Sequence, residues 1–201
     1  MKLPKLILAS GSPRRAEILT SVGWEFEKQV ADVDETEFIN EHPPDYVQRL
    51  AKAKAVAVAG KFENAFILGA DTIVVIDEKI IGKPKDVEDA SRMLNLLSGR
   101  WHEVLTGVAI IEVQSPKSKV QSQKSVVGIQ RTRVKFAAMT DEEIEFLVEK
   151  GEPLDKAGAY AVQAQAALFI EEIKGDYWNV VGLPINLVYK MVNSFRQKKT
   201  G

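Results

Sequence analysis

Leu6-Ile7-Leu8-Ala9-Ser10-Gly11-Ser12-Pro13-Arg14-Arg15-Ala16-Glu17-Ile18-Leu19 packs three structural signals into one short segment. The apolar run Leu6 to Ala9 reads as a short buried strand. Ser10-Gly11-Ser12 supplies the small residues of a tight turn. Pro13 suits the first turn of a helix, where its missing N–H has no intrahelical partner to lose. Ser12 is then the expected N-cap, with Ile18, Leu19 and Val22 on the apolar face. Backbone N–H groups, the positive end of the helix dipole and the Arg14 and Arg15 guanidinium groups converge on one spot. That convergence predicts an anion site, with phosphate as the natural occupant. The plainer alternative is a pair of arginines pointing into water.

Outward from this unit, strands and helices mix. Trp24 to Val30 alternates as a half-buried strand does, and the acidic run Asp32-Val33-Asp34-Glu35-Thr36-Glu37 falls in a loop. His42-Pro43-Pro44-Asp45 introduces a helix from Tyr46 to Ala59, with Val47, Leu50, Ala51, Ala55 and Val58 on one face. Lys52 and Lys54 fall on different sides of it. Ala65 to Ile76 is the most apolar segment, a strand buried on both faces with Asp71 in its middle. A turn at Asp77-Glu78-Lys79 leads to Ile80-Ile81, and Val87 to Leu97 forms a helix. Trp101 to Val113 and Ser125 to Ala138 read as antiparallel partners, joined by an exposed polar tip from Gln114 to Lys124. Thr140 caps a helix to Lys150, Leu168 to Ile173 is a strand, and Gly175 to Gly182 is turn-rich. Pro184 starts a last helix running to about Arg196. The pattern predicts an α/β fold with a mixed twisted sheet flanked by helices, in a single domain over 1–201.

Composition narrows the function. The 201 residues suffice for one domain with a real core, and a net charge of -1 argues against a general polyanion binder. No nucleic-acid partner is therefore expected, and any phosphate site must be local. There is no cysteine, which removes disulfides, thiol catalysis and Cys-based zinc. No run approaches a membrane span, so a soluble, cytoplasmic protein with no membrane partner is expected. The sequence carries neither a Walker A motif, nor Gly-x-Gly-x-x-Gly, nor Gly-x-Ser-x-Gly. His42 and His102 read as structural or surface residues.

Asp71 is the leading chemical candidate, because a carboxylate in a doubly apolar strand must be paired, bind a cation or line a cleft. Glu35 brings a second carboxylate for the same cation, and two hard oxygen ligands suit Mg²⁺ or Mn²⁺. Lys54 and Lys83 join Arg14 and Arg15 as candidate phosphate clamps. Acidic loops and lone lysines are more often simply solvated. Spacing thus points to hydrolysis or transfer at phosphorus without naming a substrate.

Taken together, Ser10-Gly11-Ser12-Pro13-Arg14-Arg15, Gly69-Ala70-Asp71-Thr72, Gly82-Lys83-Pro84, Asp155-Lys156-Ala157-Gly158-Ala159-Tyr160 and Asn179-Val180-Val181-Gly182-Leu183-Pro184 resemble the Maf (septum-formation) nucleotide pyrophosphatases. The resemblance runs from about Leu6 to Leu187. It implies a Maf/ITPase-like fold with a central cleft, a divalent metal cation, and hydrolysis of the α–β phosphoanhydride of a nucleoside triphosphate to monophosphate and pyrophosphate. It makes Asp71 the catalytic base and a metal ligand with Glu35. It makes Ser10, Arg14, Arg15, Lys54 and Lys83 substrate contacts. Arg14, Thr72 and Gln163 match the positions that select dTTP and UTP, a nucleotide-pool house-cleaning role, with modified pyrimidine nucleotides as further substrates. It also implies a homodimer. Asp176 and Trp178 stand where many members have serines. The rival readings are a regulatory nucleotide binder in cell-division arrest without significant turnover, and a pyrophosphatase for a different modified base.

Overall fold

Strands form where the apolar runs stand: β1 (Leu6–Leu8), β2 (Phe26–Lys28), β3 (Ala65–Ile76), β4 (Lys79–Ile81), β5 (Trp101–Val113), β6 (Lys124–Phe136) and β7 (Ile170–Lys174). In this computed structural model, which describes residues 3–114 and 124–197, they make a 7-stranded sheet in the order β2-β1-β3-β5-β6-β7, with β4 on β3. The sheet is mixed. β1 runs parallel to both β2 and β3, placing Leu6 opposite Phe26 and Phe66. β4 is antiparallel to β3, and β7 to β6. The helices are α1 (Pro13–Ser21), α2 (Pro43–Ala59), α3 (Val87–Leu97), α4 (Asp141–Lys150), α5 (Tyr177–Val181) and α6 (Ile185–Gln197). The contacts divide the chain into two units.

The first unit gathers Met1–Asp71, Thr106–Gln130 and Gly182–Gly201. Its core is set by strand alternation. Ile7 and Ala9 of the β1 segment, Ala65 and Ile67 of β3, and Ala109, Ile111 and Val113 of β5 are buried together with Ala51, Ala55, Val58 and Ala59 of α2. An alanine-rich helix face lies flat on the sheet because little projects from either side. Two glycines make that approach possible. A Cβ on Gly69 would stand 2.1 Å from the Ala51 carbonyl oxygen, and one on Gly107 would stand 2.2 Å from that of Val47. Gly69 and Asp71 share a face by the same alternation, so the strand that closes on α2 also carries the carboxylate toward it. Phe66 meets Phe195 of α6 edge to face, with centroids 5.5 Å apart.

The second unit gathers Thr72–Leu105 and Arg131–Val181. Asp77 and Glu78 both take positive φ, 50° and 62°, the backbone of a two-residue hairpin turn between β3 and β4. Asp86 caps α3 by accepting from the Asp89 N–H at 2.8 Å. Thr140 and Glu143 form a reciprocal capping box on α4. The segment predicted as turn-rich contains α5, because Asp176 Oδ1 accepts from the Trp178 N–H at 2.8 Å and nucleates a helical turn. Asp176 thereby does the capping work that serine also performs. Asn179 is fully buried and donates to the Val104 carbonyl at 2.9 Å and to Thr132 Oγ1 at 3.1 Å, which seats α5 on β5 and β6.

His102 is structural, one of the two readings, structural or surface, that the sequence leaves open. It is buried, its Nε2 lies 2.8 Å from the Tyr160 hydroxyl, and it stacks on Phe136. Burial pulls its pKa down to about 4, and burial of Tyr160 raises that phenol. The unfolded imidazole titrates near 6.5, so between that pH and about 4 the unfolded chain binds the extra proton. Stability contributed by the neutral ring is therefore complete above pH 6.5 and is lost as the pH falls, by roughly 3 kcal/mol. Urea midpoints of wild type and His102→Gln at pH 7.5 and 4.5 test this. The variant should lose less stability on acidification, and equal losses in both chains would refute it.

Several boundaries differ from expectation. The predicted strand from Trp24 to Val30 shortens to Phe26–Lys28, because Trp24 is drawn off to donate from its indole to the Pro4 carbonyl at 3.0 Å. Ser12 occupies the N-cap position of α1, yet its side chain makes no capping bond. Val22 is exposed past the end of α1. α2 begins earlier than predicted, since Pro43 and Pro44 fill its first turn. β7 starts at Ile170, after a short 3-10 turn at Gln165–Leu168. β5 and β6 are neighbours in the sheet. Residues 115–123 of the polar tip and the end of the basic tail lie outside the described residues. No helix among the described residues is long and apolar enough to cross a membrane.

Candidate active site

Three segments of the first unit bring Glu35, Lys54 and Asp71 together. Asp71, at the end of that unit's part of β3, is 8% exposed, and Lys54, on the buried face of α2, is 9% exposed. The Lys54 ammonium donates to Asp71 Oδ1 at 2.6 Å and pairs with Glu35 Oε1 at 2.6 Å. One cation thus holds two carboxylates from distant parts of the sequence. Lys52 is exposed, so the helix does turn its two lysines to different sides.

The cluster's electrostatics are asymmetric. Burial raises the Asp71 pKa above the ordinary carboxylate range, opposed by the charges of Lys54 and Arg15 and reinforced by Glu35. A carboxylate held in this way is a stronger base than one in water. Glu35 lies at the other extreme, with its side chain 53% exposed on the acidic loop.

Sequence reasoning missed what holds that loop. The Tyr46 hydroxyl donates to the Glu35 carbonyl at 2.8 Å. Burial and the neighbouring carboxylates Asp71 and Glu35 push the Tyr46 phenol up to about 12, so it remains a donor at any working pH. Arg49 donates to the Thr36 carbonyl at 3.0 Å, is forked on Glu41 at 2.6 and 2.7 Å, and lies 4.0 Å over the Phe38 ring. Tyr46, Leu50 and Lys54 recur at intervals of four along α2, so one helix face carries both the strap and the ammonium. The helical spacing was visible, but the loop that it grips was not.

The turn after β1 is organised differently from the simple cap expected. Ser10 Oγ accepts from the Ser12 N–H at 3.2 Å and from Arg15 Nη1 at 3.0 Å. Arg15 Nε donates to the Gly182 carbonyl at 2.9 Å. Arg15 is therefore 8% exposed and braces two family-like motifs, and burial lowers its pKa. Arg14 is half-buried beside it. The cationic turn exists, but Arg15 devotes part of its donor fork to the fold.

Thr72, Lys83 and Gln163 belong to the second unit. Lys83 and Gln163 are exposed and Thr72 is half-buried. The loop bearing Lys83 is pinned, because the Gly82 carbonyl accepts from the Gly158 N–H at 3.0 Å. Gly158, at φ 69°, packs so closely on Val74 that a Cβ would stand 2.8 Å from its Cγ2. The Gly82-Lys83-Pro84 and Asp155-to-Tyr160 motifs thus meet through backbone. A concavity of about 430 Å³ in this unit, lined by Trp101, Arg131 and Arg133 among others, includes none of the predicted site residues.

Two hard carboxylate oxygens converging on one cationic point are a donor set that suits Mg²⁺ or Mn²⁺. Among the described residues no group of three or more His, Cys, Asp or Glu could hold a metal. A cation on Asp71 and Glu35 would draw its remaining oxygens from substrate and water.

The mixed sheet, the Asp71–Lys54–Glu35 cluster and the cationic turn belong to an α/β protein with charged groups of the kind phosphate chemistry uses. The chain belongs to the Maf-like protein family, whose model matches residues 5–195. It is 47% identical over 193 residues to a dTTP/UTP pyrophosphatase of Symbiobacterium thermophilum, covering 96% of this chain and 95% of that one. It is 50% identical to a protein of the same name from Citrifermentans bemidjiense, covering 92% of each chain. A third, from Geotalea uraniireducens, is 51% identical over 90% of this chain and 89% of its own. The Staphylococcus aureus Ham1 structure aligns with TM-score 0.44 at 14% identity over 66% of this chain and 72% of that one, a likeness too slight to support a comparison.

Proposed function

We propose that this chain is a nucleoside triphosphate pyrophosphatase that cleaves dTTP and UTP to the monophosphate and pyrophosphate. The observation that carries the reading is the buried Asp71 carboxylate bound to Lys54 and, through it, to Glu35, in a chain whose relatives bear that name.

In this reading Asp71 takes the proton from a water whose oxygen attacks the α-phosphorus. The new P–O bond forms as the bond to the β-phosphate oxygen breaks, and pyrophosphate leaves. Its pKa, raised by burial, fits that role. Arg14, Arg15, Lys54 and Lys83 balance the charge of the polyphosphate, and Ser10 orients the turn that presents the arginines. Gln163 offers a donor and an acceptor for a pyrimidine edge, and the selection is assigned to it together with Thr72 and Arg14. Asp71 and Glu35 would hold a divalent cation, Mg²⁺ or Mn²⁺, which would neutralise phosphate charge. The house-cleaning role, the homodimer and the cytoplasmic location belong to the same proposal.

A panel of canonical and modified nucleoside triphosphates, scored for monophosphate and pyrophosphate, tests it. dTTP and UTP should lead. Equal rates on purine nucleotides would defeat the assignment of Arg14, Thr72 and Gln163, and orthophosphate as the product would defeat cleavage at the α-phosphorus.

A further inference from the structure

We propose that Lys54 is a built-in counter-cation, holding Asp71 and Glu35 together until a divalent cation displaces it. The proposal rests on the reading that this site handles a nucleotide with a divalent cation.

The geometry is specific. Lys54 Nζ lies 2.6 Å from Asp71 Oδ1 and 2.6 Å from Glu35 Oε1, the length of strong charge-assisted bonds. An ammonium is a compact point charge with three donors and no acceptor, and here two carboxylate oxygens satisfy it. Mg²⁺ binds oxygen at about 2.0–2.1 Å. It would therefore occupy the space in which the ammonium contacts the same two oxygens. On those two oxygens the two cations would exclude each other.

Charge gives the same answer. Two carboxylates neutralise one dication, and a retained ammonium would leave excess positive charge at a site where Arg15 already acts on Asp71. Asp71 is fixed by its strand, and the Lys54 backbone by α2. Glu35 belongs to the loop strapped by Tyr46 and Arg49, so its backbone remains in place when the ammonium leaves. The lysine chain is the flexible member of the cluster. Release would free its charge beside the site at the moment a polyphosphate needs neutralising. Resting and loaded states thus use the same lysine twice.

The test uses the full chain without nucleotide. Mg²⁺ binding is followed by calorimetry in wild type and Lys54→Met, while acetic anhydride footprinting with mass spectrometry reads lysine reactivity in wild type. Lys54 labelling should rise several-fold at saturating Mg²⁺ while Lys61 stays constant. Lys54→Met should bind Mg²⁺ more tightly by about 5–150-fold, the range of ordinary site–site couplings. Unchanged or reduced Lys54 labelling with Mg²⁺ bound would overturn the proposal, as would failure of both chains to bind Mg²⁺. The footprint needs only wild type, so an unstable variant does not remove the test. A chain that shows the Lys54 response but releases no pyrophosphate from any nucleotide would leave this proposal standing and overturn the catalytic reading.

Discussion

Exchanging Asp71 for Asn is expected to lower turnover of dTTP and UTP by about 10²–10⁴-fold, the contribution of a positioned general base. The effect should appear in kcat, since the amide keeps the shape of the side chain and still offers Lys54 an oxygen. Stability should hold, because burial already penalises the charged form of Asp71 and the amide carries no charge to desolvate. Melting temperature and turnover, measured on the same preparation, separate the two outcomes. A variant with near-normal kcat would remove Asp71 from the chemistry. A variant that fails to fold would assign it to structure instead.

How much of this was legible in the sequence depended on whether the signal was local. β3 at Ala65–Ile76, α3 at Val87–Leu97 and β5 at Trp101–Val113 match the predicted spans, because each is a long periodic run bounded by turn residues. Asp71 was legible as a carboxylate in an apolar strand, and Lys54 only as one of two lysines on different sides of a helix, with nothing to say which of them faces inward. The 2.6 Å contact between Asp71 and Lys54 was not legible, because it depends on strand and helix meeting across a sequence separation of 17. The same limit hid Tyr46 and Arg49, ordinary helix residues until the loop they hold is folded beneath them. It hid the bond from Arg15 to Gly182, 167 residues away, which makes that arginine a brace. α5 was missed for a different reason. Its five residues are too short to show a helical period, and its start is set by one Asp176 side chain. Gly69 was visible only as part of a motif, and no property of that motif reveals what presses against it.

Gly69→Ala therefore carries the second large effect, on stability and site together. The added methyl would meet the Ala51 carbonyl oxygen at 2.1 Å and the Ala55 nitrogen at 2.8 Å. Both are backbone atoms in the middle of a helix, and no rotamer change relieves them. The strand and α2 must separate, opening the core around Ile7, Ile67, Ala51 and Ala55. A cost of about 3 kcal/mol or more follows from such overpacking. At this chain length that corresponds to a fall of about 6–12 °C in melting temperature. Gly107→Ala, whose methyl would stand 2.2 Å from the Val47 carbonyl oxygen, should behave alike. Gly60→Ala is the internal control: its φ is -68°, nothing lies within 4 Å of the added methyl, and its melting point should stay level or rise slightly. The site provides the second readout. Lys54 reaches Asp71 because α2 lies against β3, so Gly69→Ala should lose turnover even at temperatures where it remains folded, while Gly60→Ala keeps it. If Gly69→Ala matched Gly60→Ala in both melting point and turnover, the close approach of α2 would not be what joins Lys54 to Asp71.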